Sequence, residues 1–268
     1  GAAVGGGGAG WRAGGGASGG GGRGRARGGW RASRPWFLER GHRTVRLKGD
    51  GPTVAGAAAE IEDPEGVLSL VCDVQAPRQV QAAFVKGVAG FGRSDVLVNN
   101  AGLSRGLEPL HKGLLDDWNE MIDTNVKGLL HVDRAVVPLM VARGRGTVIH
   151  IGSIAGRQVS PGGNVYCATK YAVRALTQGM RIDLLGTKVR CSSVDPGMVE
   201  TEFSEVRFHG DTERAHQAYQ NFPPLKAEDI AETVLFCATR PPHVNIHDVL
   251  IRPQDQAAVY ASHPRRVE

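Results

Sequence analysis

The chain has 268 residues and a net charge of +5, a length that suits one large folded domain or two small ones. Residues 1–36 hold six arginines and no acid, so the other 232 residues carry 5 − 6 = −1, and the folded part is not basic. The four cysteines stand far apart without a Cys-x-x-Cys pair, so neither a metal site nor a disulfide framework is predicted. No apolar run reaches about 18 residues and no signal-peptide core is present, so we expect a cytoplasmic protein with no membrane contact.

The composition of residues 1–36 indicates a low-complexity Gly/Arg-rich arm. Residues 1–35 alone contain 16 of the 38 glycines. Such a segment cannot bury enough apolar surface to fold alone, which predicts a disordered tail. The run 23–29 could instead contact nucleic acid, although nucleic acid is not the expected partner. A third hypothesis is a translated wrong reading frame, because the change to ordinary protein sequence is abrupt. We therefore predict an arm over 1–36 and one folded domain over 37–268.

From residue 37 onward, short apolar runs alternate with helical patterns, which predicts an α/β fold. Strands are predicted over 44–47, 67–71, 95–98, 148–153, 189–194 and 248–251. Helices are predicted over 54–61, 80–91, 116–141, 166–185 and 228–239. Residues 202–224 are polar and aromatic with few core positions, which is typical of a substrate lid.

The most informative stretch joins Ser153, at the carboxyl end of a predicted strand, to Tyr166 and Lys170 on one face of a predicted helix. A free phenol titrates near pH ~10, so Tyr166 can exchange protons at neutral pH only beside a cation such as Lys170. Ser153 could hydrogen-bond a substrate oxygen on which charge develops. The Tyr-x-x-x-Lys spacing alone would usually mark surface helix residues, and the serine on the preceding strand favours the functional interpretation.

Together with Asn99-Asn100-Ala101-Gly102 and Asp195-Pro196-Gly197, these residues resemble the short-chain dehydrogenase/reductase superfamily over about residues 37–260. The resemblance implies a Rossmann-like doubly wound parallel sheet with helices on both faces. It also implies an NAD(P)-dependent enzyme that interconverts an alcohol and a ketone, with Tyr166 as general acid/base. The first strand and the glycine-rich loop are atypical or missing, because Trp30 stands where the last glycine of a loop over Gly24 and Gly28 belongs.

The resemblance assigns site residues one by one. The implied catalytic set is Asn125, Ser153, Tyr166 and Lys170, in which Asn125 bends its helix and holds a water against the lysine. The implied cofactor contacts are Asp73, Val74, Asn99, Ala101, Gly102, Tyr166, Lys170, Pro196, Gly197, Val199 and Thr201. Asp73 could also cap the following helix. Two long helices imply a homodimer or homotetramer.

The cofactor and the substrate are less narrowly predicted. Arg46 and Lys48 favour NADP and Asp50 favours NAD, so we expect NADP with NAD as the alternative. Motifs over 162–166, 201–208, 219–221 and 243–246 resemble the branch of NADP-dependent 3-hydroxy acid dehydrogenases that act on serine and allo-threonine. A carboxylate substrate needs a cationic clamp, for which Arg207 is a candidate and a solvated surface arginine the alternative. A sugar-alcohol or aliphatic-ketone reductase, or a catalytically impaired protein with a nucleic-acid-binding arm, remain alternatives.

Overall fold

The computed structural model describes residues 2–6, 43–48, 67–217, 219 and 222–263. Their strands form a seven-stranded sheet in the order β3-β2-β1-β4-β5-β6-β7. The strands are β1 (Ala2–Gly6), β2 (Arg43–Lys48), β3 (Val67–Val71), β4 (Val96–Asn99), β5 (Gly146–Ile151), β6 (Val189–Pro196) and β7 (Asp248–Ile251). Every neighbouring pair is parallel except the two that involve β1. This order and pairing confirm the predicted Rossmann-like class.

The helices of the described residues lie on both faces of the sheet. They are α1 (Pro77–Phe91), α2 (Leu115–Ile122), α3 (Leu129–Arg143), α4 (Asn164–Asp183), α5 (Phe203–Arg207), α6 (Thr212–Gln217) and α7 (Ala227–Ala238). Within the described ranges, no helix has the length and apolar character needed to cross a bilayer. The helix predicted over 54–61 lies outside the described residues.

Side chains alternate between two cores along the central strands, because successive residues of a strand point to opposite faces. Leu97 of β4 and Val148 of β5 are fully buried in the larger core, which side chains of α1, α3 and the end of α4 complete. Val98 and Ile149, the next residues, join the second core with side chains of α7. Both faces of the central strands are therefore buried, as a doubly wound sheet requires.

Strand β1 runs antiparallel to both of its neighbours. Ala2 pairs with Asn99 at the carboxyl end of β4, and Gly6 pairs with Arg43 at the start of β2. The chain therefore leaves β1 at the edge opposite the carboxyl ends of the parallel strands. A parallel first strand would deliver its following loop to the carboxyl edge instead. The first strand is atypical, as predicted, and the stretch from Gly24 to Gly28 lies outside the described residues.

The helix predicted over 116–141 forms as three consecutive segments. Helices α2 and α3 are joined by a π-helical turn over Asp123–Gly128, with Asn125 inside it. Such turns insert an extra residue into a helix and are frequent at functional sites. A Cβ on Gly128 would lie 2.7 Å from Val74 Cγ2, so a glycine here allows the turn to approach the segment after β3. The local bend places Asn125 toward the carboxyl edge of the sheet.

Candidate active site

The carboxyl edge of the parallel strands carries the candidate site, and Ser153 lies there just after β5. The strand ends at Ile151, two residues earlier than predicted, and Ser153 begins a 3₁₀ turn over Ile154–Gly156. The Ser153 hydroxyl accepts a hydrogen bond from the Ala155 N–H (3.1 Å). That bond leaves the hydroxyl proton free to be donated to another acceptor.

Tyr166 and Lys170 lie one turn apart on α4, and Lys170 is almost completely buried. The Lys170 Nζ lies 6.0 Å from the centre of the Tyr166 ring and donates a hydrogen bond to the Ile151 carbonyl (2.9 Å). Burial lowers the pKa of Lys170 to about 8, although the Asp195 carboxylate opposes this effect. The ammonium group therefore loses its proton more readily than that of an ordinary lysine. It lies close enough to the phenol for its charge to influence the phenol.

The Tyr166 phenol is half-buried and meets Ser153 on one side. Burial raises the pKa of this phenol, while the Ser153 hydroxyl and the Arg207 cation act in the opposite direction. The Phe203 ring contacts Tyr166 edge to face, with 5.5 Å between the ring centres. The phenol is thus surrounded by one hydroxyl, two cations and one aromatic ring.

Asn125 links the loop after β4 to the helix that carries Tyr166 and Lys170. Its Oδ1 accepts a hydrogen bond from the Leu103 N–H (2.8 Å), and its Nδ2 donates to the Leu103 carbonyl (2.8 Å) and to Thr169 Oγ1 (3.0 Å). A Cβ on Gly102 would lie 3.3 Å from Asn125 Oδ1 and 3.4 Å from Lys170 Nζ. The structure therefore brings the four predicted catalytic residues to one place, joined through Gly102, Leu103 and Thr169.

The predicted adenosine-end contacts lie beyond β3. The Asp73 carboxylate accepts from the Gln75 N–H (2.9 Å), and the Asp73 N–H donates to Gln79 Oε1 (3.0 Å). The alternative interpretation of Asp73 as a helix cap is wrong, because Ala76 occupies the N-cap position of α1 and no side chain caps it. Val74 is buried, and its carbonyl contacts His131 Nδ1 (2.9 Å).

The Asn99 side chain points into the protein rather than into the cleft. Its Nδ2 donates to Asp133 Oδ1 (2.7 Å), so only its backbone can face a ligand. Ala101 packs against the larger core, and Gly102 is exposed at the cleft. These residues line the carboxyl end of β4 with main chain and small side chains, which allows close approach of a ligand.

The residues predicted to face the nicotinamide lie at the end of β6 and after it. Pro196 is buried, and the Gly197 N–H donates to the Ile251 carbonyl (2.7 Å), which ties this turn to β7. Val199 forms a bridge with Leu225 and packs on the second core. Thr201 Oγ1 accepts from the Phe203 N–H (3.2 Å) at the start of the predicted lid.

The described part of the site suits the nicotinamide half of a dinucleotide. Lys170 carries three ammonium protons, and Ile151 supplies the acceptor for one of them, so two donors remain available for ribose hydroxyls. The small residues Ala101 and Gly102 leave room beside them. At the opposite end, Arg46 and Lys48 lie on β2, while Asp50 lies outside the described residues.

A buried polar network beneath β4 was not anticipated from the sequence. Thr177 donates its single proton to the Val173 carbonyl (2.7 Å), so His150 Nδ1 must donate to Thr177 Oγ1 (2.8 Å). His150 Nε2 then faces the Asp133 carboxylate at 3.1 and 3.3 Å, with Asn99 on its other side. The pair anchors the cofactor-facing end of β4 to α3, α4 and β5.

A second network fixes the turn that carries Ser153. The Asp195 carboxylate, 2% exposed, accepts from Arg157 Nε (2.8 Å) and from the Ser193 hydroxyl. Arg157 Nη2 also lies 2.6 Å from Asp195 and 3.2 Å from Asp248. No short motif marks Arg157, so only its position in the fold identifies this role.

The substrate side of the site is formed by the loop after β4, the start of α4, and α5. An open cleft lies beside Tyr166 and is lined by Ser104, Asp117, Trp118, Met121 and residues 162–166, among others. The Arg207 guanidinium lies 5.7 Å from the centre of the Tyr166 ring and 5.0 Å from that of Phe203. Arg207 is therefore half-buried at the phenol and is not a solvated surface residue.

Comparisons with known proteins agree with this geometry. The family model described as "short chain dehydrogenase" matches residues 29–211. An NADP-dependent 3-hydroxy acid dehydrogenase (YdfG) of Salmonella typhi is 45% identical over 222 residues, which cover 82% of this chain and 89% of that protein. A protein of Schizosaccharomyces pombe named NADP-dependent 3-hydroxy acid dehydrogenase is 42% identical over 206 residues, covering 76% and 80%.

Solved structures show the same relationship. The closed form of a serine dehydrogenase complexed with NADP⁺ superimposes with a TM-score of 0.83 at 39% identity, over 89% of this chain and 96% of that one. Serine dehydrogenase from Escherichia coli gives a TM-score of 0.74 at 34% identity, over 86% and 95%. The chain therefore belongs to the short-chain dehydrogenase family, as its motifs predicted.

Proposed function

We propose that this chain is an NADP-dependent dehydrogenase that oxidises the hydroxyl of a 3-hydroxy acid such as serine or allo-threonine. One observation carries the proposal: a phenol flanked by Ser153 and Lys170 has an arginine beside it that lacks an acidic partner among the described residues. The relatives, which include a 3-hydroxy acid dehydrogenase and a serine dehydrogenase, support the same substrate class.

Tyr166 carries out the proton transfer. In the oxidative direction its phenolate accepts the substrate hydroxyl proton, and in the reductive direction the phenol returns it. The Lys170 cation stabilises the phenolate, and the Ser153 hydroxyl donates to the substrate oxygen on which negative charge develops. When bound, NADP supplies the hydride acceptor, with its nicotinamide half held by Lys170, Gly102 and the turn after β6. Asn125 keeps the loop that carries Gly102 in register with α4.

The case for a carboxylate site rests on Arg207. Several other half-buried arginines of the described chain have an acid or several carbonyls as partners, namely Arg105, Arg143, Arg157, Arg181 and Arg190, whereas the Nε of Arg174 on α4 has no hydrogen-bond partner. Among the described residues, the Arg207 guanidinium has one hydrogen bond, from its Nε to Ser104 Oγ (3.2 Å), and no carboxylate at ion-pair distance. Its two Nη groups can therefore receive a carboxylate in the bidentate manner that arginine favours.

The test compares a 3-hydroxy acid with its neutral methyl ester. Purified full-length chain is assayed with NADP⁺ on 3-hydroxybutanoate and on methyl 3-hydroxybutanoate. Arg207→Ala is expected to lower kcat/KM for the acid about 10–100-fold more than for the ester, since a hydrogen-bonded charge is worth about 1.5–3 kcal/mol. Arg214→Ala is the matched control, because Arg214 also stacks on a lid aromatic, Phe208, but is exposed.

Three outcomes would overturn parts of this proposal. Equal losses for acid and ester would remove Arg207 as the carboxylate site. Preference of the wild-type chain for neutral alcohols would favour the sugar-alcohol or aliphatic-ketone alternative. Fluorescence titration with NADPH and with NADH settles the cofactor, and failure to bind either would show that this chain lacks a working pyrophosphate loop.

We also propose that the domain over 37–268 assembles as a homodimer or homotetramer. Exposed apolar side chains on α3 and α4 support this, among them Leu130 (42% exposed), Leu139 (51%) and Ile182 (69%). Light scattering coupled to size-exclusion chromatography tests it, and a monomer at micromolar concentration would contradict it.

A further inference from the structure

Helix α5, which carries Arg207, is too short to be stable by itself and is held through its carboxyl end. The Gly106 N–H donates to the Arg207 carbonyl (2.9 Å), and Arg105 Nη1 donates to the Val206 carbonyl. Ser104, 1% exposed, accepts the hydrogen bond from Arg207 Nε. Three consecutive residues of the loop after β4 therefore hold the last turn of α5.

Two features make this loop a suitable clamp for a helix end. The last carbonyls of a helix have no partner within the helix and carry partial negative charge, so a guanidinium cation there is favourable. Gly106 adopts a positive φ of 60°, which glycine accepts without strain, and its N–H reaches the Arg207 carbonyl.

Arg105 is itself anchored on another element. Its Nε and Nη2 donate to the two carboxylate oxygens of Glu120 on α2, at 2.7 and 2.9 Å, and its backbone N–H contacts Met121 Sδ (3.4 Å). The hydrogen bond from Arg105 lowers the pKa of Glu120, although burial opposes this effect. The carboxylate therefore stays charged below the pH at which an ordinary glutamate would be protonated.

We infer that Arg105 is a positioning residue that selects carboxylate substrates, because it connects Glu120 on α2 to the carboxyl end of α5 and so holds Arg207 at Tyr166. This inference rests on the proposed role of Arg207. The two side chains act in series: Glu120 fixes Arg105, Arg105 fixes the last turn of α5, and that turn places the guanidinium of Arg207 5.7 Å from the Tyr166 ring centre.

The planar fork of arginine is required for this connection. One edge of the guanidinium is occupied by both oxygens of Glu120, and a separate nitrogen reaches the Val206 carbonyl. A lysine presents one ammonium centre and cannot keep both contacts in this geometry. Arg105→Lys therefore tests the geometry while it retains the charge.

The experiment uses the full chain and two independent measurements. Arg105→Lys and Glu120→Gln are assayed on 3-hydroxybutanoate and its methyl ester, and hydrogen exchange is followed in peptides that contain residues 203–208. We expect the KM for the acid to rise about tenfold relative to that for the ester, with faster exchange over 203–208. In an Arg207→Ala background, Arg105→Lys should add no further selectivity against the acid.

Arg93→Lys is the matched control, since Arg93 also pairs with a carboxylate, that of Asp95, but at the opposite edge of the sheet. If Arg105→Lys matches this control while Arg207→Ala keeps its selective effect, the inference fails and the proposed function stands. If Arg207→Ala has no selective effect, the proposed carboxylate site fails. In that case, unchanged exchange over 203–208 in Arg105→Lys would also remove Arg105 as the residue that holds α5.

Discussion

Replacing Lys170 by methionine is expected to stabilise the folded chain at neutral pH while it removes the cation from the candidate active site. Lys170 is 6% exposed, and its ammonium group has one protein acceptor among the described residues, the Ile151 carbonyl. Burial of a charge with so little compensation costs free energy of folding. Methionine has a similar length and no charge, so the variant avoids that cost.

The magnitude follows from the pKa of Lys170, which burial lowers from 10.5 to about 8. At about 1.36 kcal/mol per pKa unit, the charged form is disfavoured in the folded state by roughly 3 kcal/mol at pH 7. The variant also loses the hydrogen bond to Ile151, which lowers its stability by about 1 kcal/mol. The free energy of unfolding of Lys170→Met should therefore be roughly 2 kcal/mol higher than that of the wild type.

The pH dependence gives the sharper test. Between about pH 8 and pH 10.5 the unfolded wild-type chain binds more protons than the folded chain, so its stability gains from rising pH in that window. The advantage of Lys170→Met should therefore shrink by roughly 2 kcal/mol between pH 7 and pH 10. The buried thiols of Cys191 and Cys237 have raised pKa values and titrate in both proteins, so the difference between variant and wild type is the quantity to measure.

Urea unfolding followed by circular dichroism at pH 7, 8.5 and 10 provides the measurement, and Thr169→Val, beside Lys170 on α4, serves as a variant without a charge change. A stability difference that is independent of pH would refute the reasoning, because it would show that Lys170 is not held with a lowered pKa.

Four further substitutions probe the site and its support. Tyr166→Phe should lower kcat on the 3-hydroxy acid by about 10²–10⁴-fold with unchanged unfolding, since only the proton-transferring hydroxyl is lost. Gly156→Ala should lower the free energy of unfolding by about 1–3 kcal/mol, because the added Cβ would lie 2.7 Å from a backbone oxygen of α4. Gly179→Ala, at a position on α4 with open space around it, should raise the free energy of unfolding by about 0.5–1 kcal/mol. His150→Leu should cost about 3–5 kcal/mol, because it leaves the Asp133 carboxylate buried without its imidazole partner.

Each of these predictions has a result that would contradict it. Residual turnover above a tenth in Tyr166→Phe would assign the proton transfer to another group. Equal stability of the two glycine variants would mean that the turn after Ser153 can shift freely. A cost below about 1 kcal/mol for His150→Leu would show that the buried Asp133 side chain does not depend on its imidazole partner.

The strands and helices of the second half were predictable because each of them has its own periodic signal. The strand over 248–251 was predicted with the bounds that the structure has, and the helix over 228–239 was shifted by one residue. The helix over 116–141 was predicted as one unit, whereas the structure divides it at a π turn whose extra residue rotates the faces of α2 and α3 relative to each other. Its position at Asn125 came from the family resemblance and not from the pattern.

Neither the presence nor the direction of β1, which lies within the arm predicted over 1–36, could be predicted, because Ala2–Gly6 is too short and too rich in glycine to carry an alternating pattern. Its place in the sheet depends on hydrogen bonds to β2 and β4, both distant in sequence. Likewise, the pairing of His150 with Asp133 joins two elements whose individual patterns show only a polar residue in an apolar context.

The sequence by itself determined the family, most strands and long helices from residue 43 onward and the four residues expected to carry the chemistry, because these depend on motifs of fixed spacing within single segments. Only the tertiary structure decided that Arg207 lies at the Tyr166 phenol without an acidic partner among the described residues, and that Arg105 connects α2 to α5. The physical reason is that such contacts join segments up to about a hundred residues apart, and burial, not local sequence, decides which charges remain available to a ligand.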